Sequence, residues 1–339
     1  MSARESLSRA RFVGSSLAAG ALAGLAPLRA AAQTTTLRVI YFPAADVLPL
    51  WVGIAKGFYA QQGLALALTP TPGSVYQFQH LSAGDFEIAV TAIDNAIAYD
   101  EGQGQAPLPK PADFVAFLGG DNALLRLYAR PGITTYAGLR GKTIAVDALT
   151  TGFAFVLRKM LAANGLNEGD YVLAPAGGTM ERYKQLTSSN TYAATLLTPP
   201  FDLQARAQGF NDLGEAIGVL GHYQGIVSVA SAAWLANHAD AAVAYVRGTL
   251  TALRWLYDPK NQAEAVMLLV DNLHIPPRVA AELYPVVVDR AGGLDPLAAV
   301  DLDGVRTVLA LRSAYGKPQK SLTDAAKYYD DRFYRRALT

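Results

Sequence analysis

Residues 71–94 (TPGSVYQFQHLSAGDFEIAVTAID) and 176–199 (AGGTMERYKQLTSSNTYAATLLTP) align without a gap, so that Gly73 meets Gly178, Ser74 meets Thr179, Phe78 meets Tyr183 and Leu81 meets Leu186. Upstream, LRVIYFPAADVLPLWVGIAKGFYAQQGL at 37–64 parallels KTIAVDALTTGFAFVLRKMLAANGL at 142–166. Both upstream segments follow the order strand, turn, amphipathic helix and a Gly-Leu exit. Gly63 and Gly165 stand just past each helix end, where a left-handed backbone is needed. Identity between the halves is low, and it is the shared order of elements that carries the argument. A chain that duplicates strand–helix–strand–helix–strand is committed to two similar lobes.

The strands are expected near 37–42, 64–70 and 86–92 in the first half, and near 142–147, 170–174 and 192–198 in the second. Right-handed crossovers between such strands build an α/β fold with a mostly parallel sheet and helices on both faces. The link FVAFLGGDNALLRLYARPGI at 114–133 holds two short strands around Gly119-Gly120 and breaks at Pro131-Gly132. HYQGIVSVA at 222–230 returns the chain to the first lobe. From there the pattern is helical, around 231–257, 260–272, 276–285, 298–314 and 322–337, read as extra helices packed on the first lobe. The domain expectation is therefore 34–130 plus 225–339 for lobe I and 131–224 for lobe II, with the two crossovers as a hinge.

The chain has 339 residues, 51% hydrophobic and 17% charged, which suits two well-formed cores. A net charge of +1 without a Lys/Arg block argues against a nucleic-acid partner. With no cysteine, the chain has no thiol nucleophile, disulfide, thiolate metal site or lipidated cysteine. Residues 1–33 read as a cleaved export signal: Arg4, Arg9 and Arg11, a mildly apolar core over 12–28, then Ala30-Ala31-Ala32. S-R-A-R-F-V at 8–13 resembles a twin-arginine signal, with Ala10 where the second arginine belongs, so both export routes stay open. The mature chain is expected in the periplasm, beginning near Gln33.

Several motifs fail on context. A-G-L-R-G-K-T at 137–143 contains G-K-T, but Tyr136 occupies the required glycine position and the loop enters a strand rather than a helix. E-G-Q-G-Q at 101–105 follows a helix, which is wrong for a dinucleotide fingerprint. His80, His222, His238 and His274 lack metal-ligand spacing, so no metal is expected. His222 beside Tyr223 at the second crossover is kept as a ligand-facing candidate. No G-x-S-x-G elbow occurs, and Thr150 and Thr151 show no activating base.

The turn IAVDALTTGFAF at 144–155 has a binding mechanism instead. Ligands of open α/β sheets lie beyond the carboxyl ends of the strands, where helix N-termini offer free N–H groups and partial positive charge. Thr150, Thr151 and Gly152 offer hydroxyls and close backbone approach there, and Phe153 an apolar wall; ordinary helix capping is compatible with the same residues. The matching strand ends supply Phe42 and Asp46, Ser74, then Thr91, Asp94 and Asn95, with Asn122 at the first crossover and Thr198 across the cleft.

The string PLWVGIAKGFYAQQGLALALTPTPGS, followed by LSAGDFEIAVTAIDNAIAY, resembles the substrate-binding proteins of nitrate/sulfonate/taurine-type ABC importers and the related fungal thiamine-pyrimidine synthases. The shared features are the W-V-x-x-x-x-G-F-Y helix, the G-L strand and the L-x-x-G-x-x-x-I-A junction, where Glu87 replaces the usual aspartate. The resemblance implies a two-lobed Venus-flytrap fold, type II, which closes on a small organic molecule and delivers it to a permease and its ATPase. It implies a monomer, a non-enzyme and no cofactor. The alternative is an enzyme on the same fold acting on a pyrimidine-like or sulfur-containing substrate. The synthases and desulfinases of this group rely on cysteine, which this chain lacks. An organic anion fits Thr150, Thr151 and Ser74, although no arginine or lysine stands clearly at a strand end; an amine fits Asp94 and Asp121. Ligand identity is left open between them.

Overall fold

In the computed structural model, residues 34–290 and 292–339 are described. The export-signal expectation falls on residues 1–33, outside them. The first sheet begins with β1 (Thr35–Tyr41), then α1 (Leu48–Ala55), β2 (Leu64–Pro70), α2 (Ser74–Ala83), β3 (Ile88–Ala92), α3 (Ile93–Asp100) and β4 (Phe114–Gly119). The second half runs β5 (Arg126–Ala129), β6 (Thr143–Val146), α4 (Gly152–Ala163), β7 (Val172–Pro175), α5 (Thr179–Ser188), β8 (Ala194–Leu197), α6 (Phe201–Ala207), β9 (Asn211–Glu215) and α7 (Ile217–Leu220). After β10 (Ile226–Ser231) the chain is helical: α8 (Ala232–Asn237), α9 (Ala239–Leu256), α10 (Gln262–Leu273), α11 (Pro277–Val287), α12 (Leu302–Tyr315) and α13 (Arg332–Leu338).

The sheet orders are β2-β1-β3-β10-β4 and β7-β6-β8-β5-β9. In each, a three-strand parallel core is followed by an antiparallel strand contributed across the hinge: β10 pairs with β3, and β5 with β8. The duplicated segments thus fold as equivalent units. One sequence boundary shifts, and one strand is added. β5, assigned to the first lobe when the boundary is set at 130, pairs with β8 and β9 in the second sheet, which moves the first crossover to the residues just before it. The polar strand β9 (NDLGE) was not expected at all; as an edge strand it needs few apolar residues.

The two faces of β1 explain the layering. Leu37 and Val39 face the C-terminal helices, in a core with Trp51, Tyr245, Leu253, Leu283 and Phe333. Ile40 faces the other way, toward Phe78 and Ile97. That second core continues without interruption into Ile144 and Leu157 of the other lobe by way of Val305 and Leu309 on α12. Most of the C-terminal helices pack on the first lobe as expected, but α12 lies against α4 of the second lobe as well as α3.

Candidate functional site

A cavity lies between the two sheets. It sits where the parallel strands end: Phe42 follows β1, Ala92 closes β3, Asp147 follows β6 and Thr198 follows β8. Among the sequence candidates, Phe42, Asp46, Asn95, Thr151, Gly152, Phe153 and Thr198 line it.

The other candidates are engaged nearby. The Ser74 amide donates to Asp147 at 3.1 Å. Thr91 accepts from the Asn95 amide at 3.0 Å, holding that side chain at the cavity wall. The Thr150 carbonyl accepts from Arg312 at 3.3 Å, and the Asp94 carboxylate pairs with Arg312 at 2.7 Å. Asn122 lines a separate chamber beyond it. His222 is exposed and its Nδ1 meets Asp301 at 3.1 Å.

The lobes touch over the cavity through an exchange of helix caps. The N-termini of α2, α3, α4 and α5 receive no hydrogen bond from their own cap side chains. Instead Asp147 of the second lobe accepts from the α2 N-terminus of the first, and Asp94 of the first accepts from Gly152 at the α4 N-terminus of the second. A carboxylate at a helix N-terminus satisfies orphan N–H groups and meets the positive end of the dipole. Gly178 N donates to the Pro72 carbonyl at 2.7 Å, Ala45 N to the Pro199 carbonyl at 3.1 Å and Leu149 N to Gln105 at 3.0 Å. These contacts describe a closed clamp. Two glycines permit the approach: a Cβ on Gly152 would stand 2.3 Å from the Asp94 carboxyl carbon, and one on Gly178 would stand 3.1 Å from the Phe42 ring.

The family model described as NMT1/THI5 like matches residues 44–263. The chain belongs to the NMT1/THI5-like family. A search of curated proteins finds no match. Among solved structures it is similar to the periplasmic nitrate-binding protein NrtA from Synechocystis PCC 6803, with 15% identity, a TM-score of 0.75 and coverage of 90% of this chain and 89% of that one. It is also similar to the alkanesulfonate-binding protein SsuA from Xanthomonas axonopodis pv. citri bound to MOPS (15%, 0.67, 89% and 97%). A third is the desulfurization enzyme DSZB (14%, 0.61, 90% and 99%). At these identities the likeness carries the fold: two α/β lobes of the periplasmic-binding-protein type, as the sequence resemblance led us to expect.

Within this NMT1/THI5-like cleft the sequence reading missed Asp147, Thr179 and Arg182. The repeat held the signal for all three. Asp147 stands at the repeat position of Phe42, Thr179 at that of Ser74 and Arg182 at that of Gln77. Gln77 and Arg182 do the same job, tying a helix to two strand ends. The Gln77 amide donates to the Ile40 and Val90 carbonyls at 3.3 and 3.1 Å. Arg182 donates to Thr195 at 3.0 Å, the Leu196 carbonyl at 3.1 Å and the Gly177 carbonyl at 2.9 Å. The cation absent from the strand ends is thus on the second turn of α5.

Burial dominates the electrostatics of the site. It pulls Arg182 down to about 10, against the opposing field of Asp147. It pushes Asp147 and Asp94 upward, although Arg182 and Arg312 beside them favour the charged forms. Asp46 is pushed well above the ordinary carboxylate range by burial and then by the charge of Asp121. Asp121 is raised by burial too, but accepts from Ala123 N at 2.8 Å and Ile226 N at 3.0 Å. The hydroxyls at the wall are committed. Thr151 donates back to the Ala148 carbonyl at 3.0 Å, and the Thr198 hydroxyl donates to that of Thr179 at 3.5 Å. Among the described residues, no cluster of His, Asp and Glu could hold a metal ion, and no helix is long and apolar enough to cross a membrane.

Proposed function

We propose that this chain is the solute-binding component of an ABC importer, exported to the periplasm, where it acts as a monomer. It closes on one small organic molecule and hands it to a membrane permease driven by an ATPase. The observation that carries this reading is the cavity enclosed at the carboxyl ends of both sheets, sealed by hydrogen bonds exchanged between lobes. Hinge closure around a ligand is an established kind of domain motion. The lobe division supports it: β1 to β4 with β10 and most C-terminal helices form one jaw, β5 to β9 the other. The binding proteins for nitrate and alkanesulfonates on this fold favour the same role.

The fold also serves a desulfurization enzyme, so chemistry must be judged from side chains. The Thr151 hydroxyl hydrogen points to a backbone carbonyl rather than a base, a poor arrangement for a nucleophile. The test is to denature the purified protein, identify the released molecule by mass spectrometry, and incubate it with fresh protein. Recovery of the same molecule, near one per chain, is expected; conversion to a product would overturn the reading.

A further inference from the structure

The cleft gathers four aspartates, Asp46, Asp94, Asp121 and Asp147, around two arginines, Arg182 and Arg312. Three of the aspartates are engaged by a cation or by backbone amides from elsewhere in the chain. Asp94 holds Arg312 and the α4 N-terminus, Asp147 holds the α2 N-terminus beside Arg182, and Asp121 holds two backbone amides. Asp46 is different. Its carboxylate is met by local backbone amides at Asp46 and Val47, but its Oδ1 is buried at the cavity wall without a hydrogen-bond partner, and the charge acting on the group most strongly is that of another carboxylate, Asp121. A buried carboxylate oxygen left without a donor, in a group with no cation beside it, is costly, and its natural complement is a positive nitrogen group.

Building on the solute-binding reading, we propose that the cleft takes a solute carrying an ammonium or amidinium group, and that Asp46 receives that group. Arg182 does not offer an equivalent grip to an anion. Each of its three nitrogens already donates one hydrogen bond to the protein, leaving only one N–H on each terminal nitrogen, and the charge of Asp147 stands opposite it. An anion would have to enter beside Asp46 and Asp147. The rings of Phe42 and Phe153 at the cavity wall suit a cation better than an anion, since an aromatic face is electronegative. Further acids, with Arg126 among them, stand away from the main cavity. A smaller chamber shares Asp46, Phe153, Thr198 and Ile226 with it, and shares Ala123, Leu124 and Pro199 with the chamber beyond, where buried Asp202 also has an unpartnered Oδ1.

Isosteric pairs of opposite charge test this on ligand-stripped protein by calorimetry: benzamidine against benzoate, and butylamine against butanesulfonate. The cation of at least one pair is expected to bind more tightly by about tenfold or more, and Asp46→Asn to abolish the preference. Circular dichroism checks that this near-isosteric variant is folded. Anions that bind as tightly as their cationic counterparts in both pairs overturn the proposal, as does a preference that survives Asp46→Asn, or no binding of either cation at about 10 mM. Each of these leaves solute binding standing, because that reading falls only if the extracted molecule is converted.

Discussion

At the scale of single residues, Arg312 explains more of the closed form than any side chain lining the cavity. It is fully buried, donates to both Asp94 oxygens at 2.7 and 2.8 Å and to Gln103 at 2.9 Å, and reaches the Thr150 carbonyl of the other lobe. Its guanidinium carbon lies 5.0 Å from the centre of the Phe155 ring. Removing one partner of such a pair strands a buried charge, which costs about 3–5 kcal/mol. Arg312→Met should therefore lower unfolding stability in urea by that order, and Arg312→Met with Asp94→Asn should lose clearly less than the two single losses added. A single variant as stable as the parent protein would mean that Asp94 finds other partners. Sequence reading placed Asp94 at a strand end and offered it to a ligand. Its true partner is 218 positions away, a separation that no local spacing reveals.

At the scale of elements, the decisive contact is one helix N-terminus facing an acid on the opposite lobe. Gly152 lies in the first turn of α4, against Asp94 in the first turn of α3. Gly152→Ala puts a methyl group into the Asp94 carboxyl when the lobes are shut, and relieves the clash when they part. Apparent affinity for the extracted solute should fall by about tenfold or more, because only the binding-competent fraction counts. Helix content by circular dichroism should stay unchanged. Undiminished affinity would remove this contact from the closing mechanism. The duplicated strands and helices were legible because period and order survive low identity. The edge strand β9 was not, since its polar sequence carries no alternation. Of the site, strand-end residues such as Phe42, Asp46 and Thr198 could be placed from the carboxyl-end rule. Arg182 could not, because it reaches the cavity from inside a helix and looks like any exposed helical arginine until the strand ends are in view.

At the scale of the whole molecule, a family of two-lobed proteins is built here so that the lobes complete one another. Each sheet receives its fourth strand from across the hinge, each lobe caps a helix of the other, and α12 bridges both cores. On the solute-binding reading proposed above, the open and closed states of such a molecule are biased by whatever fills the cavity. The most direct measurement is small-angle X-ray scattering of the ligand-stripped chain before and after its own extracted solute is restored. The radius of gyration should contract on addition, and the restored profile should match the closed form described above. An identical profile in both states would contradict a clamp that closes on its solute.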